Sequence, residues 1–101
     1  MDEELLLSGI ECFISVGNND EETKEQKEQA RSMILRNGGF VRDFIDEDIN
    51  VVIGINDSYD HIQKLLPPLS GVPVVSNQWL QESVHANTIL PFVGPASISY
   101  L

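Results

Sequence analysis

The stretch Pro73-Val-Val-Ser-Asn-Gln-Trp79-Leu-Gln-Glu-Ser-Val84 joins a short apolar strand directly to a helix carrying the only tryptophan of the chain. Val74 and Val75 are β-branched and suit a pleated, buried surface, and Ser76 or Asn77 can offer a side-chain oxygen to the orphan amides of the next helix. On that helix Trp79, Leu80, Ser83 and Val84 form a stripe wide enough to lie on a sheet, while Gln78, Gln81 and Glu82 face water. A large aromatic buries on the order of 200 Å². Trp79 is therefore read as a core anchor and not as a ligand contact.

The surrounding chain has 101 residues, 42% of them hydrophobic, which is enough for one core and too little for a second domain or a large substrate cavity. A single domain over 1–101 is expected, with its core at about 7–91. Sixteen acidic residues against six basic ones leave a formal charge of −10. That excess repels a phosphate backbone, which proteins hold with clustered Lys and Arg, so direct nucleic-acid binding is not expected. The only local basic stripe is Lys24, Lys27 and Arg31, at i, i+3 and i+7 of one helix. Cys12 is the single cysteine, so it forms neither an intramolecular disulfide nor a closed cysteine-based zinc site, and it suits a reducing compartment. The first residues lack a basic n-region and no apolar run approaches the ~20 residues that span a bilayer, so a soluble intracellular chain with no membrane partner is expected.

In chain order, Ile10 to Val16 reads as a mostly apolar strand, and Gly17-Asn-Asn-Asp20 as a turn in which Asn19 or Asp20 caps a helix from Glu21 to Arg36. The first half of that helix is polar and should project into water, with Ala30, Met33, Ile34 and Leu35 forming a buried stripe later. Gly38-Gly39 stops it. Phe40 to Phe44 carries Arg42 and Asp43, the polarity of a short edge strand, and is followed by an acidic loop at Asp46-Glu-Asp48. Asn50 to Ile55 has no charge and should be a central strand covered on both faces. Asn56-Asp-Ser58 caps a short helix with Tyr59, Ile62, Leu65 and Leu66 on one face, until Pro67-Pro68 ends it. Val72 to Val75 is then a second edge strand, since Pro73 donates no ladder hydrogen bond. After the Trp79 helix, which ends near Ala86-Asn87, Ile89 to Val93 should fold back, and Gly94-Pro95 opens the tail. The order strand, helix, strand, strand, helix, strand, helix implies a small α/β sandwich with right-handed crossovers and parallel strands.

These residues resemble the BRCT (breast-cancer C-terminal) domain family, from Leu7 to about Pro91. Gly9 followed by Phe13 resembles the family's opening, Gly38-Gly39 its paired glycine after the first helix, Val51 to Ile53 its third strand, and Val74 to Ser83 with Trp79 its signature strand and helix. The resemblance implies a compact three-layer sandwich, a four-stranded parallel sheet of order 2-1-3-4 with helices 1 and 3 on one face and helix 2 on the other. It also implies a non-enzymatic protein-interaction module of nuclear proteins in DNA-damage signalling, checkpoint control, replication and repair, often paired with an adjacent repeat. No cofactor or metal is implied.

In family members that grip a phosphoserine or phosphothreonine, the pocket resembles a Ser/Thr just before a Gly at the end of strand one, plus a Lys early in helix two. Here Val16 precedes Gly17, Ser15 lies one position earlier and should point to the other face, and Lys64 comes later than in that pattern. A phosphopeptide site would then use Ser15, Gly17, Asn18 and Lys64. A DNA-end-binding module meets the charge objection. A nucleotide-binding α/β enzyme would need a glycine-rich phosphate loop or paired acids after a strand, and the loop Gly17-Asn-Asn-Asp20 has neither. His61 and His85 stand alone on predicted helices.

Overall fold

The computed structural model describes residues 5–66 and 71–90. The strands are β1 (Glu11–Val16), β2 (Phe40–Arg42), β3 (Val51–Ile55) and β4 (Val74–Ser76), and the helices are α1 (Glu21–Arg36), α2 (Tyr59–Leu65) and α3 (Asn77–Ala86). All three strand pairings are parallel and the sheet order is β2-β1-β3-β4, so β2 and β4 are the edges. The period of two along a strand divides the core between the two faces. Cys12 and Ile14 of β1 and Val51, Ile53 and Ile55 of β3 join Ala30 and Ile34 of α1 and Trp79 and Leu80 of α3. Phe13 and Val52 point the other way and meet Ile62 of α2 in a smaller cluster with Ile49 and Val74. Every residue of β3 is buried, as expected for a central strand under helices on both sides.

Helix α1 starts where Asp20 Oδ1 accepts a 2.7 Å hydrogen bond from the Thr23 amide, with Glu21 and Glu22 against the positive end of the dipole. It ends in a Schellman turn, in which the Gly39 amide donates to Ile34 O and the Gly38 amide to Leu35 O. Gly38 has φ +86°, the left-handed conformation that this turn requires and that a Cβ would strain. Gly39 is needed for space instead, since an added Cβ would lie 2.7 Å from Ile34 Cγ2. Gly9, at φ +79°, lets the chain turn from Leu7 into β1, where the Ile10 amide donates to Leu7 O. Helix α3 closes with Asn87 in the left-handed region, and Ile89-Leu90 folds back over it: Trp79 Nε1 donates to Leu90 O at 3.0 Å and the Leu90 amide to Ser83 Oγ.

Several local expectations are corrected. Strand β2 stops at Arg42 because Arg42 turns to pair with Glu11 and Asp46, leaving Asp43 and Phe44 outside the ladder. Strand β4 is shifted to Val74–Ser76, with Pro73 contributing only its carbonyl, which accepts from the Val52 amide. Ser76 holds the N-cap position of α3 but makes no side-chain capping bond. Leu35 is 49% exposed, since the stripe of α1 that meets the sheet is only wide enough for Ala30 and Ile34, with Met33 at its margin. The first half of α1 is not wholly solvated either, because Thr23 is fully buried. In α2 Ile62 is buried, whereas Leu65 is exposed, and the Tyr59 side chain lies outside the described ones. Pro67-Pro68, Pro91 to Val93 and Gly94-Pro95 lie outside the described residues.

Burial pushes the Cys12 thiol up to about 12. Since the thiolate is the nucleophile, an aromatic disulfide reagent near pH ~8 should leave Cys12 untouched in the folded chain and label it on denaturation. Rapid labelling of the native protein, followed by mass spectrometry, would contradict this placement.

Candidate functional site

The carboxyl ends of β1 and β3 converge on the start of α2, the end of a parallel sheet at which ligands bind in α/β folds. Ser15, on the α2 side of β1, is buried, and its hydroxyl donates to Asp57 Oδ2 at 2.5 Å. The Asp57 side chain is only 2% exposed. Its carboxylate also accepts from the Ser58 amide at 2.8 Å and meets His61 Nδ1 at 2.8 and 3.0 Å. A buried carboxylate is costly unless hydrogen-bonded, and three donors from β1, the loop and α2 supply that need. Ser58 Oγ caps α2 by accepting from the His61 amide.

A second polar chain ties the same corner to α1. Asn56, at φ +50°, donates through Nδ2 to Thr23 Oγ1 at 2.9 Å and to Gln26 Oε1 at 3.0 Å. Thr23 Oγ1 in turn donates to Asn18 Oδ1 at 2.7 Å. Between the carboxyl ends of β3 and β4, the second turn of α1 and the first turn of α3 lies a cleft of about 250 Å³, lined chiefly by Gln26, Asn56, Asp57, Asn77 and Gln78.

The residues singled out from the sequence are placed as follows. Ser15 and Gly17 are together at the end of β1, but both have internal partners, since the Gly17 amide donates to Ile55 O at 3.2 Å. Asn18 is exposed in the following loop, where its side chain serves Thr23 and the Asp20 amide. Lys64 is exposed in the last turn of α2, six residues beyond Ser58 and so about 9 Å along the helix axis. Val16 packs at the margin of the main core, on the opposite face from Ser15. The sequence reading missed Asp57 as the centre of the corner and took His61 to be alone. An acid four residues before a histidine at a helix start was the available signal.

Chemically, this cluster holds charge in place. The Ser15 hydroxyl bonds the carboxylate and not the imidazole, so His61 is not placed to take its proton as the base of a nucleophilic triad would. Among the described residues, no three His, Cys, Asp or Glu side chains converge as a metal site would require, and no helix is long and apolar enough to cross a membrane.

A family model described as the BRCA1 C Terminus (BRCT) domain matches residues 2–84. The chain belongs to the BRCT family. Solved BRCT structures share the fold. The C-terminal BRCT domain of human XRCC1 superposes with a TM-score of 0.70 at 14% identity, over 86% of each chain. The BRCT domain of the human DNA repair protein REV1 gives 0.65 at 21% identity, over 94% of this chain and 89% of its own. Rad4 BRCT1,2, solved in complex with a Crb2 phosphopeptide, gives 0.65 at 18% identity, with 87% of this chain covering 45% of that one. A search of curated proteins gave no match. BRCT domains are protein-interaction modules found in DNA repair proteins, and in this one the family's tryptophan helix is α3, with Trp79 1% exposed.

Proposed function

We propose that this BRCT domain is a non-enzymatic protein-docking module of a nuclear protein in DNA-damage signalling, replication or repair, and that it holds its partner without needing a phosphate. The observation that carries the reading is Asp57. Its carboxylate takes the Ser15 hydroxyl and the first free amide ahead of α2, donors that a phosphate at this corner would require. A phosphoserine reaching Ser15 would bring about −2 charge against a buried carboxylate, and like charges in such a site disfavour each other strongly. The repair proteins among the structural relatives support the cellular setting. Sixteen acids against six bases argue against a nucleic-acid partner.

A second reading, phosphopeptide binding, is favoured by one feature: Lys64 is exposed on α2 and forms no salt bridge with a described residue. A pull-down from nuclear extract with and without phosphatase separates the two. Equal capture in both arms is expected, and Lys64→Glu should leave it unchanged. Capture that drops tenfold or more after phosphatase, about 1.4 kcal/mol, and is equally lost in Lys64→Glu, would replace the first reading with the second.

A further inference from the structure

The opposite border of the sheet carries a separate feature. Strand β2 leaves the ladder at the pair Phe13–Arg42, whereas β1 continues beside β3 as far as Val16–Ile55. Where β2 departs, a pocket of about 130 Å³ opens against α1, lined by Phe13, Ile14 and Val41, by Lys27 and Arg31 of α1, and by Arg42 and Asp43. Three of the six basic residues of the chain thus meet at one place.

Arg42 is already committed to Glu11 and Asp46. Lys27 and Arg31 are not: neither forms a salt bridge with a described residue, although the chain holds sixteen acids. They stand one turn apart on α1, where like charges disfavour the helix, and an anion between them would relieve that repulsion. The cavity is well below the ~300 Å³ at which small-molecule sites begin, and it suits one side chain of a partner. It adjoins the outer border of β2, which pairs with no described strand. Phe40 and Phe44, before and after Arg42, are 55% and 59% exposed.

We propose that this border binds an extended acidic segment of a partner protein, which adds a strand beside β2 and sets an aspartate or glutamate carboxylate between Lys27 and Arg31. Unpaired backbone groups of an edge strand supply the ladder bonds, alternate apolar side chains of the segment cover Phe40 and Phe44, and the two cations choose acid over base. A charge of −10 over the whole chain turns a nucleic acid away from the same cations. This inference rests on the reading of the domain as a protein-docking module and names the chemistry of what docks.

The test is an NMR titration of the ¹⁵N-labelled chain with an extended peptide alternating valine and glutamate, beside a valine–lysine peptide and a DNA duplex. The acidic peptide should shift the amides of Val41, Arg42, Asp43 and the Lys27–Arg31 turn, and added salt should weaken it. The double reversal Lys27→Glu, Arg31→Glu should lower its affinity at least tenfold with the thermal midpoint retained, since both side chains are exposed. Asp43→Asn, which removes the one acid among the described residues lining the pocket, should raise the affinity, and it decides the matter alone if the double reversal does not fold. No binding at millimolar peptide, equal binding of the lysine peptide, preference for the duplex, or shifts centred on α2 would overturn the proposal. None of these outcomes touches the phosphatase comparison made with a native partner, so the two readings fail separately.

Discussion

Replacing Trp79 with alanine should destabilise the domain by about 3 to 5 kcal/mol, the cost of removing a large aromatic from a packed core. Trp79 is the largest of the fully buried side chains and joins α3 to Ile53, Val75 and the rest of the main cluster. Its loss also removes the indole donor that holds Leu90 O, so the returning segment after α3 is released with it. Small domains are stable by only about 5 to 15 kcal/mol, and one with this little chain is expected near the lower end. A urea melt should therefore show a midpoint close to zero denaturant or no folded baseline at all. A midpoint near that of the parent would mean that α3 does not hold the sheet as described.

Gly17→Ala should be nearly as disruptive, for a different reason. A Cβ at position 17 would lie 1.9 Å from the carbonyl oxygen of Asn56 and 2.8 Å from the Asp57 Cα, and neither is the movable end of a side chain. Relief requires the ends of β1 and β3 to part, breaking the Gly17–Ile55 backbone bond and drawing Asp57 away from Ser15. Overpacking of this kind costs about 1 to 3 kcal/mol and more where only backbone can yield. The variant should melt early and show amide shifts from Asn56 to His61. A spectrum and midpoint like those of the parent would show that the corner is looser than the distances imply.

The residues that sequence reading placed well are those whose environment is local or periodic. The bounds of α1 follow from an acid-rich first turn and a double glycine, and the uncharged run Val51–Ile55 announces a central strand. The stripe of Trp79, Leu80 and Ser83 comes from helical spacing alone. What stayed hidden depends on meetings across the fold. Thr23 looks like a solvated helix residue until Asn18 and Asn56 are brought to its hydroxyl. Asp57 looks like a capping residue until Ser15, 42 positions earlier, supplies a second donor. Leu35 fails in the other direction, because hydrophobic content cannot tell how wide a strip of helix the sheet will cover.

The burial of the chain's single indole has a practical side. Fluorescence excited at the red end of the ultraviolet absorption band comes from one ring, which is dry in the folded chain and wet in the unfolded one. The emission maximum thus reports folding without any added label. That ring belongs to the core beneath α1 and α3, and it does not line the pocket at the border of β2. A titrant that acts at that border leaves the emission colour unchanged, while one that loosens the core turns it red.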